Sequence, residues 1–342
     1  MKKYSIAVAG ATGNVGRKMI DVLLERGFPY SKITPLASAR SAGKDIKIGE
    51  QIVKVQNLAT FDFRGTDIVL SSPGSSVSKE FAPLAASKGA VVIDNTSYFR
   101  MDPEVPLIIP EVNPDAVEGF KAKGIIANPN CSTAQMLVPL KPLHDKFGIK
   151  RIVVSTYQSV SGAGKEAMDE LYNHTKTHFE GRANLNKPQK FTKDISFNCI
   201  PHIDSFMEGG KTKEEWKMEV ETKKILDPKI EVSATCVRVP VFTCHCESVN
   251  VEFEKPFENI EQIRKILESA DGVLLQDSPD NNQYATPRDC VRTFPVFVSR
   301  LRVDTSKPNC INMWIVADNV YGKGAALNSV QIAELLIKKG LI

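Results

Sequence analysis

The 342-residue sequence predicts an α/β chain in two parts: a parallel sheet first, then an α+β part built on a mixed sheet. Three observations carry this expectation. A strand, a glycine-rich turn and a helix follow one another at the N-terminus. Short apolar runs alternate with helical stretches up to residue 130 and repeatedly end in Gly, Ser, Thr or Asn. After Cys131 the runs lengthen and the helices thin out.

The opening strand is Tyr4-Ser5-Ile6-Ala7-Val8-Ala9. The turn is Gly10-Ala11-Thr12-Gly13-Asn14-Val15-Gly16, and Met19, Ile20, Val22, Leu23 and Leu24 supply the apolar face of the helix. Such a turn lets backbone approach a phosphate closely, and the helix N-terminus adds N–H groups and positive dipole. The spacing G-x-x-G-x-x-G is a variant of the dinucleotide fingerprint, so this half reads as a Rossmann-type nucleotide domain. A second strand, 33–37, leads into Ser38-Ala39-Arg40-Ser41. An acidic residue there would hold a ribose 2′-hydroxyl. Arg40 suits a 2′-phosphate instead, which favours NADP over NAD. A hairpin is expected over 45–56, turning at Gly49-Glu50. Strands follow at 67–70, 90–93 and 124–127, with a helix over 77–88.

The run 124–127 leads into Asn128-Pro129-Asn130-Cys131-Ser132-Thr133, with helix-compatible residues over 134–143. Cys131 is therefore expected at a strand-to-helix junction, where the helix dipole favours the reactive thiolate. Further on, strands are expected at 151–158, 232–239, 248–254, 296–303 and 311–317. Helices are expected at 165–177, 214–226 and 260–269, and 182–196 is polar, aperiodic and loop-like. An amphipathic helix over 325–339 is expected to pack back on the first part. The domains then read as 1–130 plus 319–342, and 131–318.

Composition narrows the function. Charged residues make up 25% of the chain and the formal net charge is +4, with no block of like charge, so nucleic acid has little support as a partner. No apolar run is long enough for a bilayer, and the N-terminus does not read as a signal peptide. Seven cysteines without framework spacing fit a reducing cytoplasm. Cys244-His245-Cys246 lacks the spacing of a metal pair, so no metal site is expected. A thiolate beside a nicotinamide site suggests attack on an aldehyde carbon, hydride loss and a thioester. Among five histidines, His245 stands out because it follows the strand carrying Arg238. A cation and an imidazole at one strand end suit an anionic substrate and proton transfer.

Taken together, GATGNVG at 10–16, SARS at 38–41, NTSYFR at 95–100, NPNCST at 128–133, TYQSVSGAG at 156–164, KEEWKMEVETKKIL at 213–226, CVRVPVFTCHCES at 236–248 and DNVYGKGAALNSVQIAE at 318–334 give the chain its resemblance. It resembles the aspartate-semialdehyde dehydrogenase family, bacterial type, along nearly its whole length. Cys246 departs mildly from the serine that is frequent there.

The resemblance implies NADPH-dependent reductive dephosphorylation of L-aspartyl 4-phosphate to the semialdehyde, within lysine, threonine and methionine biosynthesis. It implies Cys131 as nucleophile, His245 as general acid/base and Gln158 as the group orienting thioester and substrate. Arg238 would clamp the substrate carboxylate and Glu214 its ammonium, while Arg100, Lys217 and Asn130 would hold phosphate. Thr12, Gly13, Asn14 and Val15 would contact the cofactor pyrophosphate, Arg40 and Ser41 its 2′-phosphate, and Ser161, Gly162 and Asn319 other parts of it. A cytoplasmic homodimer or homotetramer, joined through the second domain's sheet, is implied as well. Two alternatives stand beside this reading. An N-acetylglutamyl-phosphate reductase usually has glycine where Asn130 precedes the cysteine, and its substrate offers no ammonium to Glu214. A non-catalytic dinucleotide-binding sensor would leave Cys131, Gln158 and His245 without a purpose.

Overall fold

The computed structural model describes residues 2–342. The chain divides into two compact units. One runs to Asn130 and resumes at Ala325; the other is Cys131–Gly324. The return lies at Ala325 rather than 319 because 318–324 is tied down inside the second unit. Asp318 accepts hydrogen bonds from the N–H groups of Val320, Tyr321 and Arg292, and Asn319 Oδ1 accepts from Cys244 N–H.

The first unit begins with β1 (Tyr4–Ala9), α1 (Asn14–Glu25) and β2 (Tyr30–Ala37). The hairpin β3 (Asp45–Ile48) and β4 (Gln51–Lys54) follows, then β5 (Gln56–Asn57), β6 (Ile68–Ser71), α2 (Ser75–Ser87), β7 (Val91–Asp94) and β8 (Ile125–Ala127). Six strands form one parallel sheet in the order β5-β2-β1-β6-β7-β8. β6 and β7 are buried at every residue, as expected for parallel strands covered on both faces. The C-terminal helix, Ala326–Lys338, belongs to this unit. It packs beside α1, where Arg26 forks onto Glu334 with two hydrogen bonds of 2.7 Å.

The second unit holds α3 (Cys131–Phe147), β9 (Ile149–Gln158), α4 (Lys165–Phe179), α5 (Lys213–Ile225), β10 (Glu231–Arg238), β11 (His245–Phe253), α6 (Ile260–Glu268) and β12 (Val273–Leu275). Then come the ribbon β13 (Asp277–Ser278) and β14 (Gln283–Tyr284), α7 (Pro287–Cys290), β15 (Val296–Val303) and β16 (Cys310–Ala317). The sheet order is β10-β9-β11-β16-β15-β12. The two outer pairs are parallel and the inner ones antiparallel, so the sheet is mixed.

Several boundaries differ from expectation, β2 and β9 starting earlier at Tyr30 and Ile149, and two of the differences bear on the site. α3 starts at Cys131 itself and runs on through Pro139 and Pro142 to Phe147. Every residue from Ser132 to Leu140 is buried, and this packing outweighs the hydrogen bonds that the prolines remove. β11 starts at His245 rather than Ser248. Cys244 just before it adopts a left-handed φ of 73°, held by its N–H bond to Asn319. The ribbon and β12 went unread because strands of two or three residues carry no periodicity. The polar segment 182–196 is irregular apart from one turn, Ala183–Leu185. It is anchored at Asp194, which accepts from Asn186 and Ser196 and meets His174, and at Glu170, which accepts from Gln189 and Lys190 N–H.

Candidate active site

In the first unit a cavity of 510 Å³ opens at the carboxyl ends of β1, β2 and β6. β1 is where the chain order switches direction in the sheet, the usual ligand position of such folds. Its walls at the strand ends are backbone and small side chains, Gly10, Thr12 and Gly13 after β1, Ala37 to Ala39 after β2, and Ser72 and Pro73 after β6; Leu58, Glu80 and Phe81 line it as well. The glycines are required by shape. A Cβ on Gly10 would lie 2.6 Å from Ser72 O, and one on Gly16 would lie 2.3 Å from Gly10 O. Gly13 precedes α1 with no side-chain cap, leaving that helix end open to an anion. Asn14 and Val15 form the first turn of α1, and Arg40 and Ser41 follow the Ser38–Ala39 wall, with Arg40 exposed. This donor set fits a phosphate-rich dinucleotide.

The Asn128-Pro129-Asn130 turn closes the same unit. Asn128 donates to Asn95 Oδ1, and Asn328 Nδ2 donates to Asn128 Oδ1 at 2.6 Å. Arg100 is buried with its Nε on Asn128 O at 2.9 Å and Nη2 on Asn95 O at 3.0 Å, so backbone carbonyls aim the cation. Asp94 holds the loop before it, accepting from Ser71 Oγ and Thr96 Oγ1. Asn130 is buried at the end of the turn.

In the second unit, strand register builds the site. Arg238 on β10 pairs with Gln158 on β9, and His245 on β11 follows one step beyond the Cys246–Tyr157 pair. Side chains alternate along a strand, so Arg238, Gln158 and His245 form one row on one sheet face. The row beneath is Cys236, Thr156 and Glu247. α3 lies against this face. Cys131 opens it, and Gln135, one turn on, donates Nε2 to the His245 carbonyl at 3.3 Å. Gly324 presses on the nucleophile: a Cβ there would lie 2.8 Å from Cys131 Cβ.

The imidazole of His245 is fully buried, and Ser159 N–H donates to its Nδ1 at 3.0 Å. A backbone N–H can only donate, so Nδ1 is the acceptor and the neutral ring carries its proton on Nε2. Burial, then the Arg238 charge, pushes the His245 pKa down to about 3, against an opposing pull from Glu214. Arg238 donates Nη1 to Ser159 O at 2.6 Å. Burial lowers its pKa, while Glu214 and Cys131 pull the other way. That coupling and the N-terminus of α3 both favour a thiolate at Cys131. Burial pushes the thiols of Cys236, Cys244, Cys246 and Cys290 up, which keeps them protonated.

The capping box of Thr212 and Glu215 starts α5, and Glu214 and Lys217 share its site-facing side. Lys217 Nζ lies 3.1 Å from Glu214 Oε2 and 2.7 Å from Asp204 Oδ2, and Gln158 Nε2 donates to Glu214 Oε1 at 3.1 Å. Asn319 Oδ1 accepts from Ser159 Oγ at 3.2 Å and Ser161 Oγ at 3.1 Å. A Cβ on Gly162 would reach 3.1 Å from His245 Nε2. Ser161, Gly162 and Asn319 thus surround the imidazole in the second unit, while Thr12, Gly13, Asn14, Val15, Arg40 and Ser41 belong to the first. Cys246 points to the other sheet face and packs with Cys290 and Phe297. Sequence reasoning passed over Ser159, Gln135, Asp204 and Gly324. Ser159 and Gly324 lie inside motifs already singled out; Gln135 and Asp204 gave no signal of their own.

The chain is similar to known proteins along its whole length. Residues 5–120 match the family described as semialdehyde dehydrogenase, NAD binding domain, and 140–321 match semialdehyde dehydrogenase, dimerisation domain. An aspartate-semialdehyde dehydrogenase of Aquifex aeolicus is 54% identical over 342 residues, 99% of each chain. Aspartate-semialdehyde dehydrogenase 2 of Vibrio cholerae is 50% identical over 341 residues, 98% of each. The crystal structure of the Vibrio cholerae enzyme II, described as complexed with ASA, superposes with a TM-score of 0.96 at 49% identity, covering 99% of each chain. A Candida albicans enzyme described with NADP superposes at 0.77 with 27% identity, covering 100% of each chain.

Proposed function

The chain belongs to the aspartate-semialdehyde dehydrogenase family, and from that premise we propose how its residues divide the work. The activity is that of an NADP-dependent oxidoreductase acting on an aldehyde, in amino-acid biosynthesis. The substrates are L-aspartyl 4-phosphate in the reductive direction, and L-aspartate 4-semialdehyde with phosphate in the reverse. The first unit takes the dinucleotide through Thr12, Gly13, Asn14 and Val15, with Arg40 and Ser41 toward the 2′-phosphate. The second unit takes the amino acid.

The Cys131 thiolate attacks the acyl carbon. A C–S bond forms, the C–O bond to phosphate breaks, and the departing phosphate takes up the proton that the reaction consumes. Arg100, Asn130 and Lys217 hold that phosphate. Arg238 presents a planar fork to the α-carboxylate, and Glu214 meets the ammonium. Gln158, held on Glu214, fixes the acyl group. NADPH supplies a hydride to the acyl carbon when bound. His245 then acts through Nε2–H, donating to the oxygen on which negative charge develops. With Nδ1 occupied by the Ser159 N–H, its acid/base role narrows to the donor side. The C–S bond then breaks, releasing the aldehyde and restoring the thiolate. Ser161, Gly162 and Asn319, which frame the imidazole, would contact other parts of the cofactor.

One observation carries this reading: register places Arg238, Gln158 and His245 in a single row under the helix that Cys131 opens. The test is NADP reduction with aspartate semialdehyde and phosphate, comparing wild type with Cys131→Ala. Loss of turnover with NADP binding intact is expected; equal rates would end the assignment. We further place the chain in the cytoplasm as a homodimer, or a homotetramer built from two such dimers, formed through the second unit. No helix among the described residues is long and apolar enough to cross a membrane.

A further inference from the structure

Glu247 has no place in the mechanism above, yet it is fully buried in the second unit. It stands directly below His245 in the side-chain row that also holds Thr156 and Cys236. Neither of its carboxyl oxygens has a hydrogen-bond donor, and the side-chain oxygen of the neighbouring Gln135 has none either. The other end of Gln135 is committed, because its Nε2 donates to the His245 carbonyl. Buried acceptors left without a donor are costly, and a proton kept on Glu247 would give the Gln135 oxygen one. Burial raises the Glu247 pKa well above its ordinary value, while the neighbouring Gln135 side chain pulls more weakly the other way. The groups facing it from the adjoining strands, Thr156, Ile315 and Cys236, bring no positive charge to hold a carboxylate.

We propose that Glu247 is a positioning residue, a neutral carboxylic acid whose O–H donates to Gln135 Oε1 and so ties the nucleophile helix to the strand carrying His245. The tie spans one helical turn on one side and one strand repeat on the other. Gln135 is four residues beyond Cys131 on α3, and Glu247 is two beyond His245 on β11. A fixed Gln135 then sets the distance between Cys131 and the Nε2–H of His245. The inference rests on the reading of Cys131 and His245 as the reacting pair.

The test uses the full chain and three readouts: kcat, KM for each substrate, and the rate at which iodoacetamide alkylates Cys131. Glu247→Leu leaves the Gln135 oxygen without a donor. It is expected to lower kcat about tenfold to a hundredfold, the cost of one orphaned buried acceptor, with KM for NADP unchanged. Glu247→Gln still presents an N–H to Gln135 and is expected to restore kcat to within about threefold, because it replaces one neutral donor by another. The alkylation rate should follow the same order. If Glu247→Leu folds and matches wild type, or Glu247→Gln is as impaired as Glu247→Leu, the inference is wrong. Should the leucine variant fail to fold, the glutamine variant alone decides. Cys131→Ala and His245→Asn assayed alongside separate the two levels. If they remain active, the reacting pair itself is misassigned. If they are inactive while Glu247→Leu is normal, only the tie fails.

Discussion

The cavity of the first unit and the thiol centre of the second are built from different materials. The cavity is shaped by backbone: glycines at 10 and 16 where a Cβ would collide with carbonyl oxygens, and a helix start with no side-chain cap. The thiol centre is made of side chains fixed by strand register, with Arg238, Gln158 and His245 in one row. A backbone-built site binds by shape and dipole and tolerates change in most side chains. A side-chain site depends on the identity and ionisation of each member. Substitutions should therefore act by sterics in one place and by chemistry in the other, and the exceptions are informative.

The largest effect is expected where the thiol centre itself depends on shape. Gly324→Ala would bring a Cβ to 2.6 Å from Asn319 O and 2.8 Å from Cys131 Cβ. Displacing the nucleophile by about 1 Å should lower kcat about a hundredfold, with NADP affinity retained. Steady-state kinetics with a cofactor titration would check it, and a fully active variant would show that the glycine contact is slack. Next is Arg238→Lys, which keeps the charge and loses the fork. KM for the amino-acid substrate should rise about tenfold or more. An unchanged KM would make Arg238 a structural partner of Ser159 alone.

A smaller effect is expected at Arg40, the charged side chain assigned to the cofactor in the first unit. Arg40→Ala should weaken NADP about tenfold and leave NAD nearly unaffected, since one charge-assisted contact is lost. Equal loss for both cofactors in a fluorescence titration would remove the 2′-phosphate role.

The last effect is on stability rather than on turnover or binding. His245 is neutral when folded, with a pKa of about 3, and takes up a proton near its ordinary 6.5 when unfolded. Between those values the unfolded chain binds the extra proton, so stability falls as pH is lowered through this window. The slope is about 1.4 kcal/mol per pH unit for one such group. Denaturant melts of wild type and His245→Asn from pH 7 to pH 4 should converge as pH falls. Parallel curves would mean that the imidazole is not held neutral.

The same contrast explains what could be read from the sequence. The first sheet was legible because β6 and β7 are continuous apolar runs ending in turn residues, and the glycine turn announces its own geometry. Cys131, His245 and Arg238 were legible as residue types in motifs. Their arrangement was not, because a row across β10, β9 and β11 depends on register between segments up to 87 positions apart (158 to 245). The full length of α3 was hidden by Pro139 and Pro142, since nothing local signals that its whole first half is buried. Ser159 was invisible as a tautomer setter because the group that decides is its backbone N–H, which any residue type would supply, although its Oγ also lies 3.1 Å from Nδ1. Gln135 looked like ordinary helix filler for a similar reason: its partner is a carbonyl 110 residues away.

The central claim is that Cys131 carries the acyl group. Its most direct test is acid quenching of the protein after mixing with aspartate semialdehyde and NADP in the absence of phosphate, followed by peptide mass spectrometry. The account predicts a stoichiometric burst of NADPH and an aspartyl thioester on the peptide containing Cys131, discharged when phosphate is added. An adduct on another cysteine, such as the exposed Cys199, or steady turnover with no adduct at all, would contradict it.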